Sequence, residues 1–374
     1  MRIALASDWY LPRLGGIELQ VAALGAELRA RGHEATVVTG TSGTTDEHVH
    51  RLRVARLPFA GVALPASLRT RMREALAALR VDVVHAHVSV VSPVAYAAVL
   101  AARDLALPAV VTFHSELHAS ARLLAFAEHV LAWRRWPVAI TAVSGLVARQ
   151  LATAIPDLAV ERLPNGVRRA EWRAPRDTRR DGAAVRFVSA LRLHRKKRPL
   201  ALVKAFARAR ARRPEIPMRL ILHGEGPERR ALERAIRHRQ LEDCVTLAGW
   251  TSRTALAESY ASSDCFVLPT RREAFGIAAL EARCAGLPVI AMGRSGVTDF
   301  LTHGRNALLA DDDRELAAHL ARVAGDPALR TTLGASADDL AAFDWPTVVE
   351  RHLACYERTV DAATSPGRVR IAPN

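Results

Sequence analysis

"VLPTRREAFGIAALEARCAGLPV", residues 267–289, contains a complete structural unit. A short apolar run stops at Pro269, which cannot donate to a strand ladder. A polar loop carrying Glu273 follows. "AFG" (274–276) leads into a helical stretch that holds Glu281, and Gly286 with Pro288 closes it. Another apolar run opens at Val289. Strand, then helix, then strand is the alternation from which parallel α/β sheets are built.

The same alternation extends in both directions. On the C-terminal half "VRFVSAL", "MRLILHG", "VTLAGW", "DCFVLPT", "LPVIAM" and "NALLA" read as buried parallel strands, because each is short, β-branched and almost continuously apolar. On the N-terminal half "RIALAS", "EATVVTG", "VDVVHAH", "PAVVTFHS" and "VAITAVS" read the same way, with helical patterns such as 17–31 and 66–80 between them. Residues 168–184 are charged and aperiodic and break the series, as a linker does. The expected organisation is a Rossmann-like domain over 1–167, a linker over 168–184 and a second Rossmann-like domain over 185–344. A last helix at about 345–361 packs back on the first domain, and a disordered tail covers 362–374. Two such domains facing each other bring the carboxyl ends of both sheets to one interdomain cleft, where open α/β sheets bind ligands.

The chain has 374 residues, a net charge of +15 and a pI near 10.9. A basic balance favours anionic partners. The excess is nearly all Arg and reads as a dispersed compositional bias. Aromatic residues are 5% of the chain, too few for the interleaved stacking platforms of a nucleic-acid binder. Four scattered cysteines form no disulfide framework or zinc pattern. No apolar run is long enough to span a bilayer, and the expected location is cytoplasmic.

Four stretches carry chemistry. In "PRLGGIE" (12–18), Gly15 and Gly16 allow a tight turn ahead of a helix N-terminus, which offers N–H groups to an anion. In "EAFGIAALE" (273–281), the two glutamates can each accept vicinal hydroxyls. The N–H groups around Phe275, Gly276 and Ile277 can hold a diphosphate between them. "RLHRKKRP" (192–199) follows a strand and holds two of the chain's three lysines; Arg192 can fork onto one phosphate and Lys197 can place an ammonium by another. "HGEGPER" (223–229) reads as a turn lining a nucleotide pocket through Gly224 and Gly226; it lacks the third glycine of a dinucleotide fingerprint. His85 and His87 share one strand face, and His114 ends another strand. A sugar-contacting role is favoured over a metal pair, since no third ligand is in view. Asp311–Asp313 read as a helix cap.

Taken in order, "PRLGGIE", "DVVHAH", "VTFHS", "AVSGLV", "LPNGV", "RLHRKK", "HGEGP", "VTLAGW" and "EAFGIAALE" resemble glycosyltransferase family 4, the retaining GT-B enzymes, from Met1 to about Thr359. The resemblance implies transfer of a hexose from a nucleotide-diphosphate sugar to a lipid or glycan hydroxyl, with no metal or other cofactor. It makes the first domain the acceptor side, with Gly15, His85 and His87, and the second the donor side. It implies that Arg192 and Lys197 contact the donor diphosphate, Glu281 the ribose, and Glu273 the donor sugar. Gly16 approaches the donor phosphate or the acceptor, and His114 meets the donor sugar near the reacting centre. Asn165 and Gly166 line the hinge side. Departures are Leu191 in place of a small residue before Arg192, the loop "GRSGVTD" (293–299), and Ala307 in place of glycine. The alternatives are a non-catalytic nucleotide-sugar binder, a GT-B epimerase and a nucleic-acid binder. An anionic membrane surface is a further expected partner, from the apolar face Leu68, Met72, Leu76 and Leu79 of one helix and from "LAWRRWP" (131–137).

Overall fold

A computed structural model describes residues 1–44, 46–53, 67–89, 91–117, 136–173, 184–335 and 338–364. The chain divides into two units, Met1–Gly166 with Trp345–Asn374, and Val167–Asp344.

In the first unit the strands are β1 (Arg2–Ser7), β2 (Glu34–Thr39), β3 (Val49–Arg51), β4 (Val83–Val88), β5 (Ala109–Phe113), β6 (Val138–Ala142) and β7 (Val160–Arg162). The helices are α1 (Gly16–Ala30), α2 (Leu68–Leu79), α3 (Pro93–Asp104) and α4 (Gly145–Ala154). All strand pairs are parallel, in the order β3-β2-β1-β4-β5-β6-β7. Every residue of β4 and β5 is buried, as expected of strands covered on both faces. The order reverses between β1 and β4, which is where ligands of such sheets bind. The three-residue strands β3 and β7 lie at the two edges and carry His50, Arg51, Glu161 and Arg162, so they lack the apolar run that marks the others.

The second unit has β8 (Val185–Ala190), α5 (Pro199–Arg212), β9 (Met218–His223), α6 (Arg229–His238), β10 (Val245–Gly249), α7 (Arg253–Ala261), β11 (Cys265–Leu268), α8 (Ile277–Cys284), β12 (Val289–Met292), β13 (Ala307–Ala310), α9 (Asp313–Gly325) and α10 (Pro327–Gly334). Its parallel sheet runs β10-β9-β8-β11-β12-β13 and reverses between β8 and β11.

The last helix, α11 (Trp345–Thr364), belongs to the first unit. Trp345, Val348, Val349, His352, Leu353, Cys355, Tyr356 and Thr359 form its buried stripe at helical spacing. The stripe joins the core of Ile3, Leu5, Val83 and Val110. The chain leaves the first unit after Gly166, one residue before the expected boundary. A Cβ on Gly166 would meet the Trp345 ring at 2.5 Å, so a glycine is required there. Gln20 fixes the same residue with a reciprocal pair of 2.9 Å hydrogen bonds to its N–H and carbonyl.

Two expectations need correction. Residues 168–173 are not linker. Arg169–Trp172 form a 3₁₀ turn of the second unit, anchored by Trp172, which is 1% exposed and stacks on Tyr260 at 5.4 Å. The remainder of the expected linker, 174–183, and the tail from 365 lie outside the described residues. The apolar face of α2 is not free for a membrane either: Leu68, Met72 and Leu76 are core side chains, and Leu79 packs against them. In the other stretch raised for membrane contact, residues 131–135 lie outside the described residues. Among the described residues no helix is long and apolar enough to cross a membrane.

Candidate functional site

In the second unit Arg192, Lys197, Gly224, Gly226, Glu273, Phe275 and Gly276 stand on loops at the carboxyl ends of β8, β9 and β11, and Ile277 and Glu281 on α8, which the last of these loops enters. The loop after β8 is locked to the loop after β9 by backbone bonds: Leu191 N–H to His223 C=O at 3.0 Å, Leu193 N–H to Glu225 C=O at 2.9 Å, and Glu228 N–H to Leu193 C=O at 2.9 Å. Gly224 and Gly226 make this approach achievable. Their φ angles are +127° and +155°, and a Cβ on either would collide with the carbonyl oxygen of Leu191 or Leu193. These two glycines therefore seat the loop that carries Arg192.

That loop ends in the 3₁₀ turn Arg195–Lys197 and the left-handed residue Arg198 (φ 60°). Arg198 anchors it by donating to Pro269 C=O at 2.9 Å and to both oxygens of Asp313 at 2.6 and 2.7 Å. Asp312 caps α9 through the N–H groups of Arg314 and Glu315, as expected of the acidic triplet. With the turn held from behind, the Lys197 ammonium donates to Glu273 Oε2 at 2.6 Å. Glu273 is only 15% exposed. Arg192 is exposed and has no ion pair among the described residues, as has Lys196.

The loop after β11 is stiffened from below. Gly296 N–H donates to Glu273 C=O at 2.7 Å, and a Cβ on Gly296 would strike Ala274 C=O. Phe275 is 2% exposed and turns into an aromatic cluster with Phe300 and Phe343. Its side chain is thus an anchor, and only its backbone is left for a ligand. Gly276 is left-handed (φ +92°) and caps α8, whose first N–H groups at Ile277 and Ala278 lack helical acceptors. Because α8 begins only at Ile277, the spacing of Glu273 and Glu281 is set by loop and helix together.

Glu281 lies on the second turn of α8, 15% exposed, with Arg253 at 3.4 Å. Arg253 also meets Glu171 at 3.0 Å, and its guanidinium sits 5.2 Å from the centre of the Trp172 ring. Burial pushes the Glu281 carboxyl up to about 7; Arg253 opposes the rise and Glu171 adds to it. Tyr260 Oη and Trp172 Nε1 are buried with no hydrogen-bond partner among the described residues. Arg253, Glu171, Trp172 and Tyr260 escape a reading of the sequence. They lie far apart along the chain, and no local motif joins them to Glu281.

In the first unit Gly16 opens α1, and Gly15 precedes it with φ −170°, ordinary extended backbone. A Cβ on Gly15 would collide with the Glu18 carboxylate, which pairs with Arg13 at 3.3 Å. His85 is fully buried, bonded at 2.7 Å to Tyr356 Oη and at 2.7 Å to Thr112 Oγ1. Both ring nitrogens are used inside the core, so His85 is removed from the acceptor-side set. His87 is 4% exposed and bonds His114 Nε2 at 3.0 Å through Nδ1, while its own Nε2 has no hydrogen-bond partner among the described residues. Burial holds His85 and His87 well below the usual imidazole range, His114 down at about 3 and His352 at about 4, with each added proton repelling the next.

This cluster sets an acid limit on the first unit. The folded values lie below the roughly 6.5 of a free imidazole. The unfolded chain therefore takes up protons first as pH falls, and stability is lost from about pH 6.5 downward, by up to about 1.4 kcal/mol per pH unit for each imidazole. Glu281 has the opposite sign: its folded value is raised, so acid relieves its unit. Hydrogen exchange at pH 7.5 and pH 5 is expected to show protection falling more in the first unit than in the second, where His223 and His319 are also lowered by burial but Glu281 works against them. Equal change in both units would contradict this.

Two parallel α/β units, the second with cationic loops and a helix N-terminus at its switch point, define the GT-B glycosyltransferase fold. Residues 14–171 match the family described as "Glycosyltransferase Family 4", and residues 170–339 the one described as "Glycosyl transferases group 1". The chain belongs to glycosyltransferase family 4. It is 33% identical over 194 residues to the D-inositol 3-phosphate glycosyltransferase of Pseudarthrobacter chlorophenolicus, an alignment covering 50% of this chain and 46% of that protein. The chain thus spans about half the length of the first curated relatives it matches. It is 27% identical to the GDP-mannose-dependent alpha-mannosyltransferase of Mycolicibacterium smegmatis over 96% of this chain and 97% of that one. The structure of Anabaena HepE in complex with UDP and glucose superposes with a TM-score of 0.77 at 21% identity, covering 96% of this chain and 99% of that one.

Proposed function

We propose that this protein is a retaining glycosyltransferase that moves a hexose from a nucleotide-diphosphate sugar to a hydroxyl of a lipid or glycan acceptor. The observation that carries the reading is the pairing of Lys197 with Glu273 at 2.6 Å, at the start of the segment that runs into the N-terminus of α8. One ammonium and a set of backbone N–H groups then serve a diphosphate, with Arg192 free to fork onto it. Glu273 steadies Lys197 and faces the sugar hydroxyls; Glu281 accepts the ribose hydroxyls. His114, neutral at physiological pH, offers one donor or acceptor nitrogen to a substrate hydroxyl.

In the reaction the bond from the anomeric carbon to the phosphate oxygen breaks. The acceptor oxygen bonds to the same face of that carbon, and its proton passes to the departing phosphate. Arg192 and Lys197 offset the charge that develops there, without a metal. The full-length relatives that depend on GDP-mannose make GDP-mannose the first donor to test. Product analysis by NMR with GDP-mannose, UDP-glucose and UDP-N-acetylglucosamine is expected to show α-linked product from one of them. An inverted anomeric centre would overturn the retaining assignment.

Arg253 gives a separate expectation. It opposes the rise that burial causes in Glu281, with Glu171, Tyr260 and Cys284 the other titratable groups acting on or lying beside that carboxyl. Arg253→Gln is expected to move the pH at which nucleoside diphosphate binding sets in to higher values, and Arg253→Lys to restore it. An unmoved profile would show that Arg253 does not act through Glu281.

A further inference from the structure

The positive charge is not dispersed as the Arg-rich composition suggests. Residues 192–240 hold sixteen Lys and Arg against four Glu, and so twelve of the chain's fifteen net charges. Five of the sixteen lie in the loop at 192–198. The others lie on α5, on α6 and beside them. On α5 Lys204, Arg208 and Arg212 recur every fourth residue and are exposed. On α6 Arg230, Arg234 and Arg237 make a second exposed stripe.

Between the helices lies an open groove of about 360 Å³ lined by Lys204, Ala207, Arg208, Ala211 and Arg239. Small alanine side chains leave the floor clear, and three cations stand around it. None of the three has an ion pair among the described residues; Arg239 donates only to the Ala235 carbonyl of its own chain turn, at 3.4 Å. Nearby arginines behave differently: Arg229 is paired with Glu225 at 2.7 Å and Glu233 at 3.1 Å, and Arg213 with Glu215 at 3.6 Å. Unpaired like charges around one concavity repel each other, and an anion placed among them removes that repulsion. Among the described residues the exposed large apolar side chains are Leu14, Leu19, Val91 and Trp250, and none of them lines the groove, which offers no wedge for insertion into a bilayer and no ring for stacking a base.

We propose that the groove between α5 and Arg239 is a phosphate-binding site separate from the donor loops, recognising a phosphate-bearing ligand by charge. The phosphate is either free in solution or part of a lipid headgroup. The site stands on charge and shape and does not depend on the reading of the donor site.

Two probes separate the sources: inorganic tripolyphosphate by calorimetry, and phosphatidylcholine vesicles with or without phosphatidylglycerol by co-sedimentation. Both are run with the full chain in the Lys197→Ala background, so that phosphate lodged at the donor loops contributes less. Binding of either probe is expected at low salt and weakens as salt rises. Lys204→Glu with Arg208→Glu is expected to weaken it at least about tenfold, taking about 1 kcal/mol per basic residue at a phosphate surface. Arg149→Glu with Arg305→Glu changes the net charge equally at exposed positions elsewhere and is expected to leave it unchanged. An equal loss in that control, no binding at low salt, or tighter binding of duplex DNA than of either probe would each overturn the proposal.

Discussion

Lys197→Ala is expected to lower turnover by roughly 10²–10³-fold while the protein stays folded, the effect of removing one preorganised charge from a departing anion. The fold survives because the loop is held by other groups: Arg198 on Asp313 and Pro269, Thr270 Oγ1 on the Lys197 carbonyl at 3.3 Å, and the backbone bonds to Glu225 and Glu228. Lys197→Arg is expected to recover only part of the rate. A planar guanidinium is larger than an ammonium and would have to share the short contact with Glu273. Steady-state kinetics at saturating donor, with circular dichroism as the check on folding, decide the matter. Normal turnover in the alanine variant would remove Lys197 from the machinery.

Glu281→Gln is expected to act in two opposite directions. Nucleotide affinity falls, because an amide offers one acceptor oxygen where the carboxylate offers two. Stability at pH 8 rises. The folded carboxyl titrates near 7 against an ordinary value of 4.5, so ionising it inside the fold costs about 3 kcal/mol. The sign follows from the raised value: the penalty is absent below about pH 4.5 and complete above pH 7. The Tm gain is therefore expected at pH 8 and absent at pH 5. A residue that destabilises its own fold and is needed for ligand marks a site at which binding and stability conflict. A variant that lost stability at pH 8 would instead make Glu281 a structural partner of Arg253.

The longer strands were legible because burial on both sheet faces leaves a continuous apolar run, and "RIALAS", "VRFVSAL" and "LPVIAM" coincide with β1, β8 and β12. The edge strands β3 and β7 were not, since three residues with charged side chains carry no such run. The apolar stripe of α2 was readable, but its partner was not. Periodicity shows that a face is buried and does not say whether core or membrane covers it. Histidines show the same limit. "HAH" placed His85 and His87 on one face, yet only the structure shows Tyr356, from the last helix, taking up His85. Within the candidate site, residues of one motif were visible together. The ion pair of Lys197 with Glu273 and the hold of Arg253 on Glu281 were not, because the fold joins positions that sequence spacing does not relate. The glycines of "HGEGP" stood out in the sequence, but the close approach of the Leu191 and Leu193 carbonyl oxygens that excludes a Cβ there did not.

The central claim is that the second unit holds a nucleotide-diphosphate sugar through Lys197, Glu273 and Glu281. Calorimetric titration of the wild-type protein with GDP-mannose, UDP-glucose and UDP-N-acetylglucosamine tests it most directly, repeated with the Lys197→Ala and Glu281→Gln variants. Saturable binding of at least one donor is expected, at one site per chain, weakened in both variants. Binding of no donor by the wild type, or binding that both variants retain unchanged, would contradict it.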